Sequence, residues 1–353
     1  MKRWIVTALA AAFGAVAMAP NGVAWADSVA DFYKGKTVTL VIGYGPGGGY
    51  DVFGRLIARF IGNHIPGNPN VVVQNMPGAG SLKATNYLYN VAPKDGTVIG
   101  MFARDMPQLA ILGTNKGVHF DPLKFTWLGS SNDFSDDAYL LMVRGDSPVT
   151  TYEQAIKPDS PPIVLAATGQ GATGSDIPIL LRDAMGLKFK IVAGYPDNGA
   201  IFLSIERGEV QGRMVDLSSI RSLKPNWVGP NSPMKFLLQM ARDTRHPDFP
   251  NVPTARELVK DPKALALIKF AEGSYKIARP FVAPPGLPPD RAKALQDAFE
   301  ATNKDPALLA EADKLRVAVA PLTAEQARKV VAEDIAGASP DVLDYMRKLH
   351  AGN

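Results

Sequence analysis

The sequence of 353 residues contains no cysteine. This absence excludes disulfide bonds, cysteine nucleophiles and zinc–thiolate sites. Histidine is scarce, and the four histidines lie far apart without forming an H-x-x-x-H pattern: His64, His119, His246 and His350. Because G-x-S-x-G and H-E-x-x-H are missing as well, the chain lacks the common signatures of serine hydrolases and zinc proteases. We therefore expect no catalytic residue, no metal site and no cofactor.

Long apolar runs are absent after the first 26 residues. At the N-terminus, Lys2 and Arg3 precede an apolar stretch over residues 4–19, which is shorter than the ~20 residues that span a bilayer. The small residues Ala24 and Ala26 then stand at the two positions that a signal peptidase reads. This arrangement predicts a secretory signal peptide over residues 1–26, rather than a membrane anchor, and a periplasmic mature protein that begins at Asp27.

The excess of one sign of charge is small. Lysine and arginine total 38 against 34 aspartates and glutamates, a formal net charge of +4. Without Lys2 and Arg3 of the leader, the mature chain carries 4 − 2 = +2. Since the sequence also contains no basic run, we expect no nucleic-acid partner. A weak positive balance does not repel an anionic solute.

Strands, glycine-rich loops and helices alternate along the chain. A strand over residues 37–42 leads into the glycine-rich residues 43–51 and a helix, and similar units recur in both halves of the chain. This order is typical of α/β folds with parallel sheets. We predict two α/β lobes, with lobe one formed by residues 27–125 and 245–353 and lobe two by residues 126–244.

The glycine-rich loops follow strands and open helices. Ligands of open parallel sheets lie beyond the carboxyl ends of the strands, and a helix N-terminus offers free N–H groups to an anion. Residues 45–51 and 77–81 contain six glycines and no lysine or arginine, so we predict that backbone amides bind an anionic group there. Asp51 is predicted to cap the helix after the first loop. Residues 43–48 also match G-x-G-x-x-G, but residues 74–76 contain no acid for a ribose, which argues against a dinucleotide.

Several polar side chains lie in or beside strands and are candidate ligand contacts. Four of them are arginines: Arg104, Arg144, Arg213 and Arg279. Tyr195 follows a strand and is a further candidate. The alternative interpretation is that these arginines form surface or interlobe pairs and that Tyr195 fills the core.

Five segments, in order, resemble the substrate-binding receptors of the tripartite tricarboxylate transporter family, also called Bug receptors. They are G-P-G-G-G-Y-D at residues 45–51, N-M-P-G-A-G at 75–80, P-K-D-G-T at 93–97, the arginine- and proline-containing segment 245–257, and A-P-P-G-L-P at 283–288. The order and spacing of these segments hold over the whole mature chain.

The resemblance implies a type II periplasmic-binding-protein fold, the Venus-flytrap form, in which lobe-one loops hold a carboxylate and lobe two closes on it. The ligand-binding residues carried over in this way are Gly47, Gly48, Gly49, Tyr50, Asp51, Pro77, Gly78, Ala79, Gly80, Ser81, Thr168, Thr173, Ser175, Tyr195 and Asp216. Tyr44, from the first glycine loop, and Arg104, from a strand end, complete the predicted site.

The function expected from the resemblance is binding of a small di-, tri- or aromatic carboxylate by a monomer, followed by delivery to membrane permease subunits. Two alternatives stay open, a carboxylate sensor for a membrane kinase and an exported α/β enzyme. The sequence departs from the family at Tyr50, where a small polar residue is usual, and at Asp176, where a histidine is usual. An atypical ligand is therefore expected.

Overall fold

The computed structural model describes residues 29–132, 137–169, 172–336 and 338–351. The predicted signal peptide lies outside the described residues. Within them, the strands in chain order are β1 (Thr37–Ile42), β2 (Asn70–Asn75), β3 (Val98–Met101), β4 (Thr126–Ser130), β5 (Tyr139–Arg144), β6 (Ile163–Ala166), β7 (Phe189–Val192), β8 (Gly212–Asp216), β9 (Met234–Met240), β10 (Pro280–Ala283) and β11 (Leu322–Thr323).

The strands form two sheets, one in each lobe. The first has the order β11-β4-β10-β3-β1-β2 and the second the order β7-β6-β8-β5-β9. In the first, β1 runs parallel to β2 and β3, whereas β10 runs antiparallel to β3 and β4. In the second, β6 runs parallel to β7 and β8, whereas β5 runs antiparallel to β8 and β9. The predicted pair of α/β lobes is confirmed, but the sheets are mixed rather than wholly parallel.

Helices flank both sheets. The α-helices are α1 (Gly49–Ile61), α2 (Leu82–Asn90), α3 (Met106–Leu112), α4 (Tyr152–Ala155), α5 (Thr173–Met185), α6 (Asn198–Glu206), α7 (Leu217–Leu223), α8 (Ala255–Leu258), α9 (Pro262–Gly273), α10 (Pro289–Thr302), α11 (Pro306–Leu315), α12 (Ala324–Lys329) and α13 (Pro340–Ala351). Short 3₁₀ turns lie at Ala79–Ser81, Pro225–Trp227 and Ser274–Ile277, and a π-helical turn at Val330–Ile335.

Helix α1 shows how the sequence specifies this packing. Its apolar residues Phe53, Leu56, Ile57 and Ile61 recur at helical spacing and are buried. They belong to one core cluster with β1 and with α10, so α1 is held between the sheet and a C-terminal helix. This packing fixes the N-terminus of α1 at the carboxyl end of β1.

The lobes share a core as well as having cores of their own. One cluster of buried side chains contains residues from α3 of the first lobe, from α5 of the second lobe and from α9. Helix α9 packs against α5, although lobe one was predicted to include residues 245–353. Strand β4 lies in the first sheet, although lobe two was predicted to begin at residue 126. The segments near both predicted boundaries therefore contribute to the contact between the lobes, and the boundaries themselves stay a prediction.

Candidate functional site

The two predicted lobe-one loops lie side by side at the carboxyl ends of β1 and β2. Asn75, at the end of β2, donates from its side-chain amide to the Tyr44 carbonyl and to Asp51 Oδ1, both at 2.8 Å. Asp51 Oδ2 accepts from the Gly47 N–H at 2.9 Å and from Arg55 Nε at 2.8 Å. Burial opposes ionisation of Asp51, but these hydrogen bonds lower its pKa below the usual value. Asp51 thus holds the two loops together as a carboxylate.

The predicted helix cap at Asp51 is wrong. The N-cap is Gly48, in an extended conformation, and Asp51 lies within the first turn of α1. From there its carboxylate accepts from the Gly47 N–H, one residue before the N-cap, in a variant of the contact that an acid at the third helical position makes with the N-cap N–H. The residue type was informative, but its position relative to the helix start was misread because three glycines leave that start open.

The second loop has a strained backbone. Gly78 and Gly80 have φ of 147° and 63°, while Ala79 and Ser81 lie in the left-handed region at 47° and 86° although both carry a Cβ. Ser81 is fully buried, and its Oγ accepts from the Ala103 N–H at 3.1 Å. Such outliers persist only where their surroundings hold them, and they concentrate at ligand sites. The strain therefore marks residues 78–81 as a candidate binding loop.

One cavity, which we call the arginine cavity, lies between the lobes. Eight predicted site residues line it: Tyr44, Gly48, Gly49, Tyr50, Arg104, Thr168, Thr173 and Asp216. Seven further residues complete the lining. Arg213 was one of the candidate arginines, and the other six were not predicted: Tyr139, Ala172, Gly174, Asp197, Asn198 and Val215. The sequence signal for Asp197 and Asn198 was available, since they follow β7 at a strand's carboxyl end, where Asp197 caps helix α6 and Asn198 begins it.

A second and more open cavity, the loop cavity, adjoins the first through Tyr44 and Thr168, which line both. It is also lined by the predicted residues Pro77, Gly78, Ala79, Gly80, Ser81 and Tyr195. Gly47, Asp51 and Ser175 line neither cavity. Ser175 instead donates from Oγ to the Gly169 carbonyl at 2.6 Å and so holds the lobe-two loop. The predicted site thus divides into two adjoining spaces and a set of supporting residues.

A buried ion pair joins the lobes behind the arginine cavity. Arg279 Nη2 lies 3.1 Å from Asp216 Oδ2, and the two side chains are 1% and 6% exposed. Ser219 donates from Oγ to Asp216 Oδ2 at 2.8 Å. Burial works against ionisation of Asp216, but Arg279 and then Arg104 bring its pKa below the usual value. Asp216 is therefore a compensated carboxylate rather than a free negative charge.

Aromatic rings surround two of the arginines. The Tyr50 ring lies 4.7 Å from the Arg279 guanidinium carbon and 6.0 Å from that of Arg104, and it stacks on Tyr44 with 4.6 Å between ring centroids. Arg104 also lies over Tyr139 and Tyr275, at 5.3 and 4.9 Å. Contacts at these distances are within cation–π range. Burial raises the pKa of the Tyr44, Tyr139 and Tyr275 hydroxyls, so these rings add no negative charge.

Arg213 lies on β8, in the part of the cavity wall that lobe two contributes, and it is 5% exposed. Its Nε donates to the Met214 carbonyl at 2.9 Å, and its Nη1 donates to Asn198 Oδ1 at 2.6 Å. Burial lowers the pKa of Arg213 from its usual value, but a guanidinium stays protonated in proteins. A fixed positive charge therefore lines the cavity from lobe two.

The lobes are in contact across the cleft. Thr173 of lobe two donates to Asp105 Oδ2 of lobe one, and Ser274 donates to Asp105 Oδ1 at 2.9 Å. At Gly169, a Cβ would lie 3.0 Å from the Gly80 nitrogen and 3.1 Å from the Ala79 carbonyl carbon. Because these atoms belong to the backbone of the opposite lobe, the glycine permits this closeness. The two lobes are therefore in a closed conformation.

Among the described residues, no group of three or more histidine, aspartate or glutamate side chains is placed to hold a metal ion. In the same part of the chain, no helix combines the length and apolar character needed to cross a bilayer.

Comparison with known proteins gives one family. The model of the "Tripartite tricarboxylate transporter family receptor" matches residues 62–342. A relative from Cupriavidus necator, the "UPF0065 protein in gbd 5'region", is 28% identical over 301 residues, covering 84% of this chain and 81% of the relative.

Solved structures share the fold at low sequence identity. The periplasmic binding protein BugD aligns with a TM-score of 0.70 and 18% identity, covering 90% of this chain and 99% of BugD. MatC from Rhodopseudomonas palustris with bound malate gives 0.67 and 20%, covering 87% and 99%. A second Rhodopseudomonas palustris protein, with adipate, gives 0.68 and 20%, covering 89% and 97%.

Proposed function

Because the chain belongs to the tripartite tricarboxylate transporter receptor family, we propose that it is a periplasmic solute-binding protein for a small carboxylate. In this proposal the monomeric receptor closes its lobes on the ligand and delivers it to the permease subunits of a membrane transporter. Malate and adipate in the two Rhodopseudomonas palustris structures support a carboxylate as the ligand class.

The observation that carries the proposal is the composition of the arginine cavity. Its lobe-one wall includes Gly48 and Gly49 at the N-terminus of the 13-residue helix α1, where backbone N–H groups and the helix dipole favour an anion. Its other walls contribute Arg104 and Arg213. Hydrogen bonds to an ionised group contribute about 1.5–3 kcal/mol each. A carboxylate is a small anionic group that fits both kinds of donor.

The described residues around the cavity also bear on the enzyme alternative. None of the described histidines lines either cavity, so no nucleophile there has an imidazole base beside it. His64 instead lies 2.9 Å from Asp305 on the surface of lobe one, and His246 accepts from the Asp248 N–H at 3.0 Å. This arrangement supports capture and release of an unchanged ligand.

A thermal-shift screen over mono-, di-, tri- and aromatic carboxylates tests the proposal. A carboxylate at 100 times its dissociation constant should stabilise the protein by about 2.7 kcal/mol. The matched uncharged amides are the control and should give no shift. Small-angle scattering should show compaction on binding, and NMR should recover the ligand intact. Absence of a shift with every carboxylate would contradict the proposal, and consumption of the ligand would favour the enzyme alternative.

Delivery to a permease needs a separate test in cells. Cells that lack this protein should not take up the labelled carboxylate at low concentration. Expressing the protein again in these cells should restore uptake. Unchanged uptake together with a lost transcriptional response to the carboxylate would instead identify a sensor.

A further inference from the structure

We propose, building on the proposed function, that Arg213 binds a second carboxylate of the ligand, which makes this receptor selective for dicarboxylates. In this arrangement one carboxylate lies at the glycine loop of lobe one and the other at the arginine of lobe two. Arg213 is then the residue that determines the ligand class.

The three buried arginines around the cavity differ in what compensates their charge. Arg279 forms an ion pair with Asp216. Arg104 is enclosed by the rings of Tyr50, Tyr139 and Tyr275. Arg213, by contrast, makes its hydrogen bonds to neutral groups, namely a backbone carbonyl, a side-chain amide and the Tyr139 hydroxyl, and it forms no salt bridge with any described carboxylate. A buried cation without a counterion is costly, so an anion in the cavity would have a large favourable effect at this position.

The acidic residues that line the cavity have partners of their own. Asp216 contributes to the field at Arg213, but its oxygens accept from Arg279 and Ser219. Asp197 caps helix α6 by accepting the Ala200 N–H at 2.9 Å. Neither acid forms a salt bridge with Arg213, and the tyrosine hydroxyls nearby are neutral. The position opposite the glycine loop therefore remains complementary to a negative charge from outside the protein.

The guanidinium of Arg213 is also held in place for a ligand. Its bonds to Met214 and Asn198 fix the plane of the group through Nε and Nη1. Gly174, which lines the cavity, lies beside Nη2, because a Cβ there would come within 3.3 Å of that atom. The missing side chain keeps space next to the charge. A donor that is fixed before binding loses little conformational entropy when it binds a carboxylate.

Titration calorimetry with paired ligands tests the proposal. The ligands are succinate, glutarate and adipate, each matched with the monocarboxylate of equal length: butyrate, pentanoate and hexanoate. The wild type should bind the best dicarboxylate about tenfold to a hundredfold more tightly than its monocarboxylate, which corresponds to one charge-assisted hydrogen-bonding group. Arg213→Gln should remove this preference by lowering the affinity for each dicarboxylate to about that of its matched monocarboxylate in the same variant.

Two further variants and one control complete the experiment. Arg213→Lys keeps the charge without the planar group and should retain part of the preference. Asn198→Ala removes the Nη1 partner and should reduce the preference without removing the charge, which keeps the test decisive if Arg213→Gln does not fold. Arg144→Gln is the matched control, because Arg144 pairs with Asp146 at the surface, and it should leave all affinities unchanged.

The two levels of the argument fail in different ways. If no carboxylate binds to the wild type, the proposed function is wrong. If carboxylates bind but dicarboxylates have no advantage, or if Arg213→Gln keeps the full advantage, the role of Arg213 is wrong and the receptor function stands.

Discussion

The two sides of the cleft differ in the interactions that form them. The loops after β1 and β2 are neutral, and they offer backbone groups held in strained conformations at Gly78–Ser81. The opposite side is a cluster of buried charges and rings, centred on the Asp216–Arg279 pair. In the loops, the main energetic cost to the folded state is backbone strain. In the cluster, it is the desolvation of buried charges. Substitutions in the loops should therefore change ligand affinity, and substitutions of the Asp216–Arg279 pair should change the stability of the fold.

The largest expected effect is on the cluster. Arg279→Met leaves Asp216 buried without its cation and should lower the free energy of unfolding by about 3–5 kcal/mol, measured by urea denaturation. Arg245→Met is the control, since Arg245 pairs with Glu257 at the surface at 2.8 Å. It should cost no more than about 1 kcal/mol. Equal losses in the two variants would show that the buried pair has no special role.

A second effect concerns Asp137, which lies beside this cluster. Burial and then the charge of Asp216 raise the pKa of Asp137 to about 6, although Arg279 lowers it in part. Because this pKa is higher in the folded than in the unfolded chain, the contribution of Asp137 to stability is present at low pH and is lost as the pH rises through about 6.

Asp137→Asn tests this sign. The amide keeps an oxygen that can accept from the Ala138 and Ser218 N–H groups and carries no charge. At about pH 8 the variant should be more stable than the wild type by up to about 3 kcal/mol, and the difference should vanish below about pH 4. Urea denaturation over this pH range measures it. A variant that is less stable than the wild type at high pH would contradict the assignment.

The smallest expected effect in free energy concerns affinity, at the point where the lobe-two loop after β6 meets the lobe-one loop after β2. Gly169→Ala places a Cβ against the Gly80 and Ala79 backbone, which should hinder closure and weaken carboxylate binding by about tenfold, or 1.4 kcal/mol. The free energy of unfolding should change little. Gly117→Ala is the control, because its Cβ would meet the Asn115 side chain at 3.1 Å rather than the other lobe. If calorimetry gives the same affinity for the two variants, the role assigned to Gly169 is wrong.

The same contrast explains what the sequence could predict. Strand β1 and the glycine loops follow from local signals, since β-branched residues and runs of glycine act through their own backbone. The buried cluster around Asp216 and Arg279 does not follow from local signals, because these two residues are 63 positions apart and meet only when both lobes have folded. Helix α9 gave no clear helical pattern, since its buried residues include neighbours such as Leu267 with Ile268 and Phe270 with Ala271. Arg213 was one of four candidate arginines, but only the tertiary structure shows that it lines the cavity and that Arg144 does not.

The most direct test of this account is a crystal structure of the protein with the dicarboxylate that it binds most tightly. The account predicts the ligand in the arginine cavity, with one carboxylate within hydrogen-bonding distance of the Gly48–Gly49 backbone and the other at the Arg213 guanidinium. A ligand bound outside the cleft, or one whose carboxylates contact neither the glycine loop nor Arg213, would contradict it.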